Sequence, residues 1–168
     1  ECPNILIQCE DTAQSLHEMV LLIMWQMFRN LSDASCSNPA ELEGDLFSSD
    51  NDTETNPAYL SFVHFAKGEL LLFNADYEVA AKRALEVGEM YDKELLPNSV
   101  MNVIETFHRA VPVYAAARRT KKRMYRKEAK RLLKKVTKWA KAGNPNVQYY
   151  CMFLTAEQHA LEKKYDMA

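Results

Sequence analysis

Helix-start signals recur along this chain from residue 56 onward, and they constrain its fold more than any other feature. The three signals are Asn56-Pro57, Asn98-Ser99 and Asn144-Pro145. Each supplies an N-cap side chain, and two place proline at the first helical position, where its missing N–H costs nothing. The breaks at residues 73–76 and 118–122 are too short for anything but turns between antiparallel helices, and Gly143 suits a C-cap. The signals predict an all-α array of helical hairpins.

Composition supports this interpretation. The length of 168 residues is that of one ordinary domain, and four glycines and six prolines are too few for a loop-rich β protein. The apolar run from Met19 to Phe28 is about ten residues long, whereas a membrane span needs about twenty. Four cysteines at spacings that fit no zinc or disulfide pattern indicate reduced thiols and a cytoplasmic location. Because the chain begins with Glu1 and its helical pattern continues to Ala168, we expect a piece of a longer protein.

The N-terminal residues predict one helix followed by a linker. Thr12 can cap a helix whose apolar residues recur at steps of three and four, as on a helix that faces a core. These residues are Leu16, Met19, Val20, Ile23, Met24, Met27, Phe28 and Leu31. Residues 32–56 then lose this periodicity and fill with Ser, Asp and Asn. We expect an N-terminal helix over residues 1–31, an acidic flexible linker over 32–56, and a helical hairpin array over 57–168 that is truncated at its C-terminal end.

Alignment of three tyrosines indicates that the hairpins repeat. A small residue stands nine positions before each tyrosine, and alanines follow at three or four positions. The residues assigned to this packing are Gly68, Tyr77, Ala80, Ala116, Tyr125, Ala129, Ala156, Tyr165 and Ala168. Small residues let paired helices approach closely while the tyrosine fills the turn, which is the logic of tetratricopeptide repeats. We expect about seven helices stacked as a short right-handed solenoid.

The array departs from a regular repeat. The aligned tyrosines are 48 and 40 residues apart, against a usual length of about 34, and Glu128 occupies a position that favours alanine. A regular peptide-binding groove is therefore not expected.

The sequence also resembles the tetratricopeptide-like helical region of large multidomain signalling proteins of microalgae and other protists. The resemblance rests on "ARRTKKRMYRKEAKRLLKKVTKWAKAGNPNV" and "AEQHALEKKYDMA", with further support from "NPAELEGD" and "GELLLFNADYEVA". In such proteins an ATPase of predicted AAA or STAND type precedes the array, and a guanylate cyclase, histidine kinase or protein kinase output often lies elsewhere. The resemblance implies a scaffold or regulatory segment, and it carries over no ATPase or cyclase residue.

Charge is distributed very unevenly along the chain. Residues 1–117 contain six Lys/Arg and nineteen Asp/Glu, a net charge of −13. Residues 118–141 contain thirteen Lys/Arg and one Asp/Glu, a net charge of +12. Residues 142–168 contain two Lys/Arg and three Asp/Glu, a net charge of −1. On a helix, the apolar residues of the basic stretch share one face: Tyr125, Ala129, Leu132, Leu133, Val136, Trp139 and Ala140. Basic residues ring the other face, and the candidate polyanion-binding residues among them are Lys127, Lys130, Arg131, Lys134, Lys135 and Lys138.

Several functions fit a basic amphipathic helix. It can be a calmodulin-type target, a membrane-surface helix or a phosphate-binding stripe. If the apolar face packs inside the array, the basic face is more simply a solvated surface that pairs with the acidic residues of the chain or with a neighbouring domain. We therefore expect a scaffold or protein-interaction segment whose partners are other domains or a second protein. The alternative is a module that binds nucleic acid or acidic phospholipid through residues 118–141.

Motifs that carry catalytic chemistry are missing from the sequence. There is no GxxxxGK[ST], GxGxxG or GxSxG motif, and the four histidines lack the spacing of a helical metal site. "DNDTE", residues 50–54, imitates the start of a calcium loop but lacks its turn glycine and its closing glutamate. We expect no enzymatic activity, no cofactor and no metal.

Overall fold

The computed structural model describes residues 3–33, 38–48, 56–94 and 100–163, and the prediction of an all-α chain is confirmed over these residues. Of them, 82% are helical and none lies in a β-strand. The elements are α1 (Pro3–Ser32), α2 (Pro57–Phe73), α3 (Tyr77–Glu94), α4 (Val100–Thr120), α5 (Arg123–Lys141), a 3-10 helix (Pro145–Val147) and α6 (Gln148–Leu161). None of the helices in the described ranges is both long and apolar enough to cross a membrane.

The sequence signals for helix ends are confirmed where they can be observed. Asn56 Oδ1 accepts a hydrogen bond from the Ala58 amide at 2.9 Å and caps α2. Asn144 Oδ1 accepts from the Asn146 amide at 3.1 Å and opens the 3-10 helix that leads into α6. Gly143 has a φ of 88°, the left-handed conformation that favours glycine after a helix. The signal at residues 98–99 lies outside the described residues.

The chain forms two compact units, residues 1–70 and 71–168. In the first unit, α1 and the part of α2 up to Leu70 share one apolar cluster with two residues of the intervening segment. Its buried members are Ile23, Met27, Leu42, Phe47, Tyr59, Val63, Ala66 and Leu70. Because α2 buries apolar residues here, the first unit includes most of α2 and ends at Leu70.

Two expectations for α1 are wrong. The helix begins at Pro3, so Thr12 lies within it and is not its N-cap. Phe28 is 58% exposed and Leu31 is 39% exposed, although both were expected to face the core. The cluster is centred on Ile23 and Met27, and each residue of a helix is rotated by about 100° from the one before it, which turns Phe28 toward solvent.

The segment expected to be a flexible linker is folded onto α1 over residues 38–48. Leu42 is fully buried and Phe47 is 8% exposed. Gln26 Nε2 donates to the Glu43 carbonyl at 3.1 Å, and Gln26 Oε1 accepts from the Leu46 amide at 3.1 Å. The side-chain amide thus satisfies backbone groups that lie in no helix, which is why a polar, aperiodic segment can be ordered.

The second unit is built from α3, α4, α5 and α6. Helix α4 packs against α3, α5 and α6, and α5 also packs against α6. Fully buried side chains at its centre include Val113, Tyr114, Leu132, Val136 and Leu154. Lys121, with a φ of 58°, forms the tight turn that reverses the chain between α4 and α5.

The residues assigned to repeat packing have different environments. Ala80, Ala116, Tyr125 and Ala129 are buried in the second unit, whereas Ala156 is half-buried. Tyr77 is 40% exposed, whereas Tyr125 is 6% exposed. A Cβ added to Gly68 would meet no atom within 4 Å, so this glycine does not mark a close approach of helices. Tyr165 and Ala168 lie outside the described residues.

Candidate functional site

The two faces of α5 have opposite environments. Tyr125, Ala129, Leu132 and Val136 are buried, and Leu133, Trp139 and Ala140 pack against the same core. The predicted apolar face is therefore confirmed, and most residues on the remaining circumference of the helix are Lys or Arg.

Six exposed cations follow one line along α5. They are Arg123, Lys127, Lys130, Lys134, Lys138 and Lys141. Their spacings of four, three, four, four and three residues place them on one helical face, and we name them the α5 stripe. At about 1.5 Å per residue the stripe is about 27 Å long.

Few of these cations are neutralised by the described residues of the second unit. Lys130 Nζ lies 3.6 Å from Glu162 Oε1. Among the described residues this is the stripe's one ion pair, because Arg123, Lys127, Lys134, Lys138 and Lys141 contact no carboxylate there. Among the described residues, the expected pairing of the basic stretch 118–141 with acidic residues of the chain also includes the contact of Arg119, at the end of α4, with Glu78 at 3.9 Å.

Two of the predicted polyanion-binding residues are engaged in the fold. Arg131 Nη2 lies 2.8 Å from Glu128 Oε1, and Lys135 Nζ lies 5.0 Å from the centroid of the Trp139 ring, in a cation–π contact. Lys127, Lys130, Lys134 and Lys138 are exposed as predicted. Sequence reasoning left Arg123 and Lys141 out of the candidate set, although extending the step of three or four residues in both directions from Lys127 would have found them.

A buried ion-pair network lies behind the stripe. Arg109 Nε lies 2.8 Å from Glu105 Oε1, and both side chains are 3% exposed. Arg109 Nη1 also lies 4.0 Å from Glu128 Oε1, which links α4 to α5. A Cβ added to Gly88 would lie 2.2 Å from Arg109 Nη1, so a glycine on α3 makes room for the guanidinium. Glu128, which the repeat pattern places where alanine is favoured, therefore has an electrostatic role.

A groove between α5 and α6 lies at one end of the stripe. It has a volume of about 360 Å³, and α5 lines it with Arg123, Arg126, Lys127 and Lys130. From α6 and its C-terminus come Gln158 and Glu162. Four cations against one carboxylate give this lining a net charge of +3.

A chain of hydrogen bonds connects the groove to the core. The Tyr114 hydroxyl donates to Gln158 Oε1 at 3.1 Å, and Gln158 Nε2 donates to Glu162 Oε1 at 2.6 Å. Burial, and then the nearby Glu162 carboxylate, raise the pKa of the Tyr114 hydroxyl well above its usual value. The neutral hydroxyl fixes Gln158, and Gln158 in turn holds Glu162 beside Lys130.

A second cavity, of about 670 Å³, lies elsewhere between α5 and α6. Thr137, Cys151, Met152 and Thr155 are among its lining residues, and the Thr137 hydroxyl lies 3.5 Å from the Cys151 sulfur. In the described ranges, no three His, Cys, Asp or Glu side chains lie close enough together to hold a metal ion.

Comparison with known proteins assigns no relative. The chain matches no protein-family model, no curated protein and no solved structure.

Proposed function

We propose that this chain is a non-catalytic helical interaction segment of a larger cytoplasmic signalling protein, and that the α5 stripe is its contact surface for an acidic partner. The partner is another domain of the same protein or a second protein. In this proposal the hairpins belong to a tetratricopeptide-like right-handed solenoid of about seven helices. The packing of α4 against α3, α5 and α6 and the short turn at residues 121–122 support that arrangement.

The single observation that carries the proposal is that few neutralising groups lie along the stripe in the described part of the second unit. There, five of its six cations contact no carboxylate. Like charges placed four residues apart on a helix repel each other by a few tenths of a kcal/mol per pair. An acidic partner relieves this repulsion and gains Coulomb energy, so the surface is well suited to binding one.

Burial of the other face decides how a partner can bind. A calmodulin-type partner or an inserted membrane helix needs the apolar face of an amphipathic helix. On α5 this face is occupied, because Ala129, Leu132 and Val136 are all fully buried. Binding must therefore use charged groups on the outside of the folded unit, and we expect it to weaken as salt is added.

The geometry also favours a second candidate, which is binding to nucleic acid or to an acidic phospholipid surface. A straight cationic line of about 27 Å can follow successive phosphates, and it requires no change in the core. Base stacking on α5 is disfavoured in this candidate, because Tyr125 is 6% exposed and Lys135 Nζ lies 5.0 Å from the centroid of the Trp139 ring.

The test is a titration of the 168-residue chain with three labelled probes at low and at near-physiological salt. The probes are a poly-glutamate peptide, a DNA duplex and anionic vesicles. The stripe variant combines Lys134→Glu with Lys138→Glu. A control variant combines Lys82→Glu with Arg119→Glu, which changes the net charge equally at exposed positions on other helices of the same unit.

The proposal predicts that poly-glutamate binds to the wild-type chain and to the control, and that the stripe variant loses at least tenfold in affinity. Stronger binding of the duplex or the vesicles at near-physiological salt, again lost in the stripe variant, selects the second candidate. Binding that both variants weaken equally, or that neither weakens, contradicts a site on the stripe.

A further inference from the structure

We propose that the groove between α5 and α6 binds a small ligand with clustered phosphate esters, and that Glu162 is a built-in competitor of this ligand. The ligand is a polyphosphorylated polyol, either free in solution or as the headgroup of a lipid. The inference rests on the proposed function in one respect, since Arg123, Lys127 and Lys130 belong to both surfaces, but the groove also includes Arg126 and a wall from α6.

The four groove cations are arranged to converge on one ligand. Arg123, Arg126, Lys127 and Lys130 stand at positions i, i+3, i+4 and i+7 of α5, so their side chains leave two successive turns on one side. The groove volume of about 360 Å³ lies within the range of small-molecule sites. An extended polyanion can bind along an open surface and does not need a groove. A compact polyanion can contact both α5 and α6 in this groove.

The chemistry of the lining favours phosphate over carboxylate. Two guanidinium groups offer paired N–H donors that match phosphate oxygens, and two ammonium groups add charge. The first turn of α5 contains no acidic residue, and Lys122 provides no side-chain cap for its amides. The partial positive charge of this helix end therefore adds to the four cations instead of being neutralised locally.

Glu162 occupies the position that a ligand phosphate would take. Its carboxylate lies 3.6 Å from Lys130 Nζ and is held there by the hydrogen bond from Gln158. Among the described lining residues it is the one carboxylate. A phosphate that reaches Lys130 must displace this carboxylate, so the resident ion pair lowers the affinity for weak single anions and selects ligands with several phosphates.

The experiment uses the full 168-residue chain and calorimetric titration at near-physiological salt. The probes are inositol hexakisphosphate, inorganic phosphate, and phosphatidylcholine vesicles containing either phosphatidylinositol bisphosphate or phosphatidylserine at equal surface charge. Three variants are compared with the wild type: Arg126→Gln removes a groove cation, Lys138→Gln removes a stripe cation outside the groove, and Glu162→Gln removes the competitor while keeping an acceptor for Gln158. Unchanged melting temperatures check that all three fold.

Inositol hexakisphosphate is expected to bind, with inorganic phosphate at least a hundredfold weaker. Arg126→Gln lowers the affinity about tenfold, Glu162→Gln raises it several-fold, and Lys138→Gln leaves it unchanged within about twofold. Binding only to the bisphosphate vesicles, with the same order of variants, supports the groove and assigns the ligand to the lipid. If the chain binds both kinds of vesicle equally and more tightly than it binds inositol hexakisphosphate, the proposed class of ligand is wrong.

Equal losses in Arg126→Gln and Lys138→Gln, or no gain in Glu162→Gln, overturn the groove site. Absence of binding to any probe does so as well. Poly-glutamate binding measured on the same samples separates the two proposals, because it depends on Lys134 and Lys138 and is expected to survive in Arg126→Gln with less than a threefold change.

Discussion

The two compact units expose opposite kinds of helix surface. In residues 1–70, α1 exposes a cluster of large apolar side chains, Leu21, Leu22, Trp25 and Phe28, which are 45–65% exposed. In residues 71–168, α5 buries its apolar residues and exposes a line of cations. Both helices have strong apolar periodicity in the sequence. The periodicity of a helix therefore indicates that a buried face exists, and the neighbouring elements decide how wide that face is.

The units also differ in how polar groups stabilise them. In the first unit, uncharged amides of α1 bind the backbone of an irregular segment, as Gln26 does with residues 43 and 46. In the second unit, buried polar contacts involve full charges, as in the pair of Glu105 with Arg109 within α4, and Arg109 also lies 4.0 Å from Glu128 of α5. Removing a charge partner from a buried site costs more than removing a neutral one. The comparison can be tested by breaking one contact of each kind.

The largest effect is expected from Glu105→Ala in the second unit. The substitution leaves the Arg109 guanidinium, which is 3% exposed, without its close carboxylate at 2.8 Å. We expect a loss of about 3–5 kcal/mol in the free energy of unfolding, measured by urea denaturation. Glu86→Ala is the matched control, since its pair with Lys82 is exposed, and it should cost less than about 0.5 kcal/mol. Equal effects of the two variants would contradict the network.

A smaller effect is expected from Gln26→Leu in the first unit. The variant keeps the side-chain volume but removes the hydrogen bonds of Gln26 with the Glu43 carbonyl and the Leu46 amide. We expect a loss of about 1–3 kcal/mol and faster amide hydrogen exchange over residues 38–48, followed by mass spectrometry. Glu18→Ala, at an exposed position of the same helix, should leave the exchange unchanged. Unchanged exchange in Gln26→Leu would mean that the amide does not order this segment.

The smallest effect is expected in how the free energy of unfolding changes at alkaline pH. A hydrogen bond with Tyr149, then burial and the charge of ionised Tyr149, raise the pKa of Tyr150 to about 12 in the folded chain, from 10.0. Because the folded state keeps the proton longer, this contribution to stability is fully present below pH 10 and is lost between pH 10 and about 12. Urea denaturation should show this decline, and Tyr150→Phe should make the curve flatter. A wild-type curve no steeper than that of the variant would refute the raised pKa.

The regular part of the fold could be predicted from the sequence because its signals are local. Each of these signals depends on residues only a few positions apart in the sequence. They are the N-caps at Asn56 and Asn144, the glycine after α5 at Gly143, and the buried face of α5. The ordering of residues 38–48 could not be predicted, since it depends on bonds from Gln26 to residues 17 and 20 positions away. In the sequence, a glutamine such as Gln26 within an apolar helix does not indicate which distant backbone groups it will bind.

The candidate site was predictable to the same degree. Exposed cations on α5 follow from helical spacing, and four of the six predicted residues are exposed, namely Lys127, Lys130, Lys134 and Lys138. The pairing of Arg131 with Glu128 and the placement of Glu162 beside Lys130 depend on how α4, α5 and α6 pack. The groove between α5 and α6 therefore had no sequence signal.

The most direct test of the central claim is a measurement of lysine reactivity on the 168-residue chain, alone and with poly-glutamate. Reductive methylation followed by mass spectrometry reports each lysine separately. The account predicts strong protection of Lys127, Lys134 and Lys138 and no protection of Lys82, which is 74% exposed on α3. Equal protection at Lys82, or none at the stripe, would contradict the claim that α5 carries the contact surface.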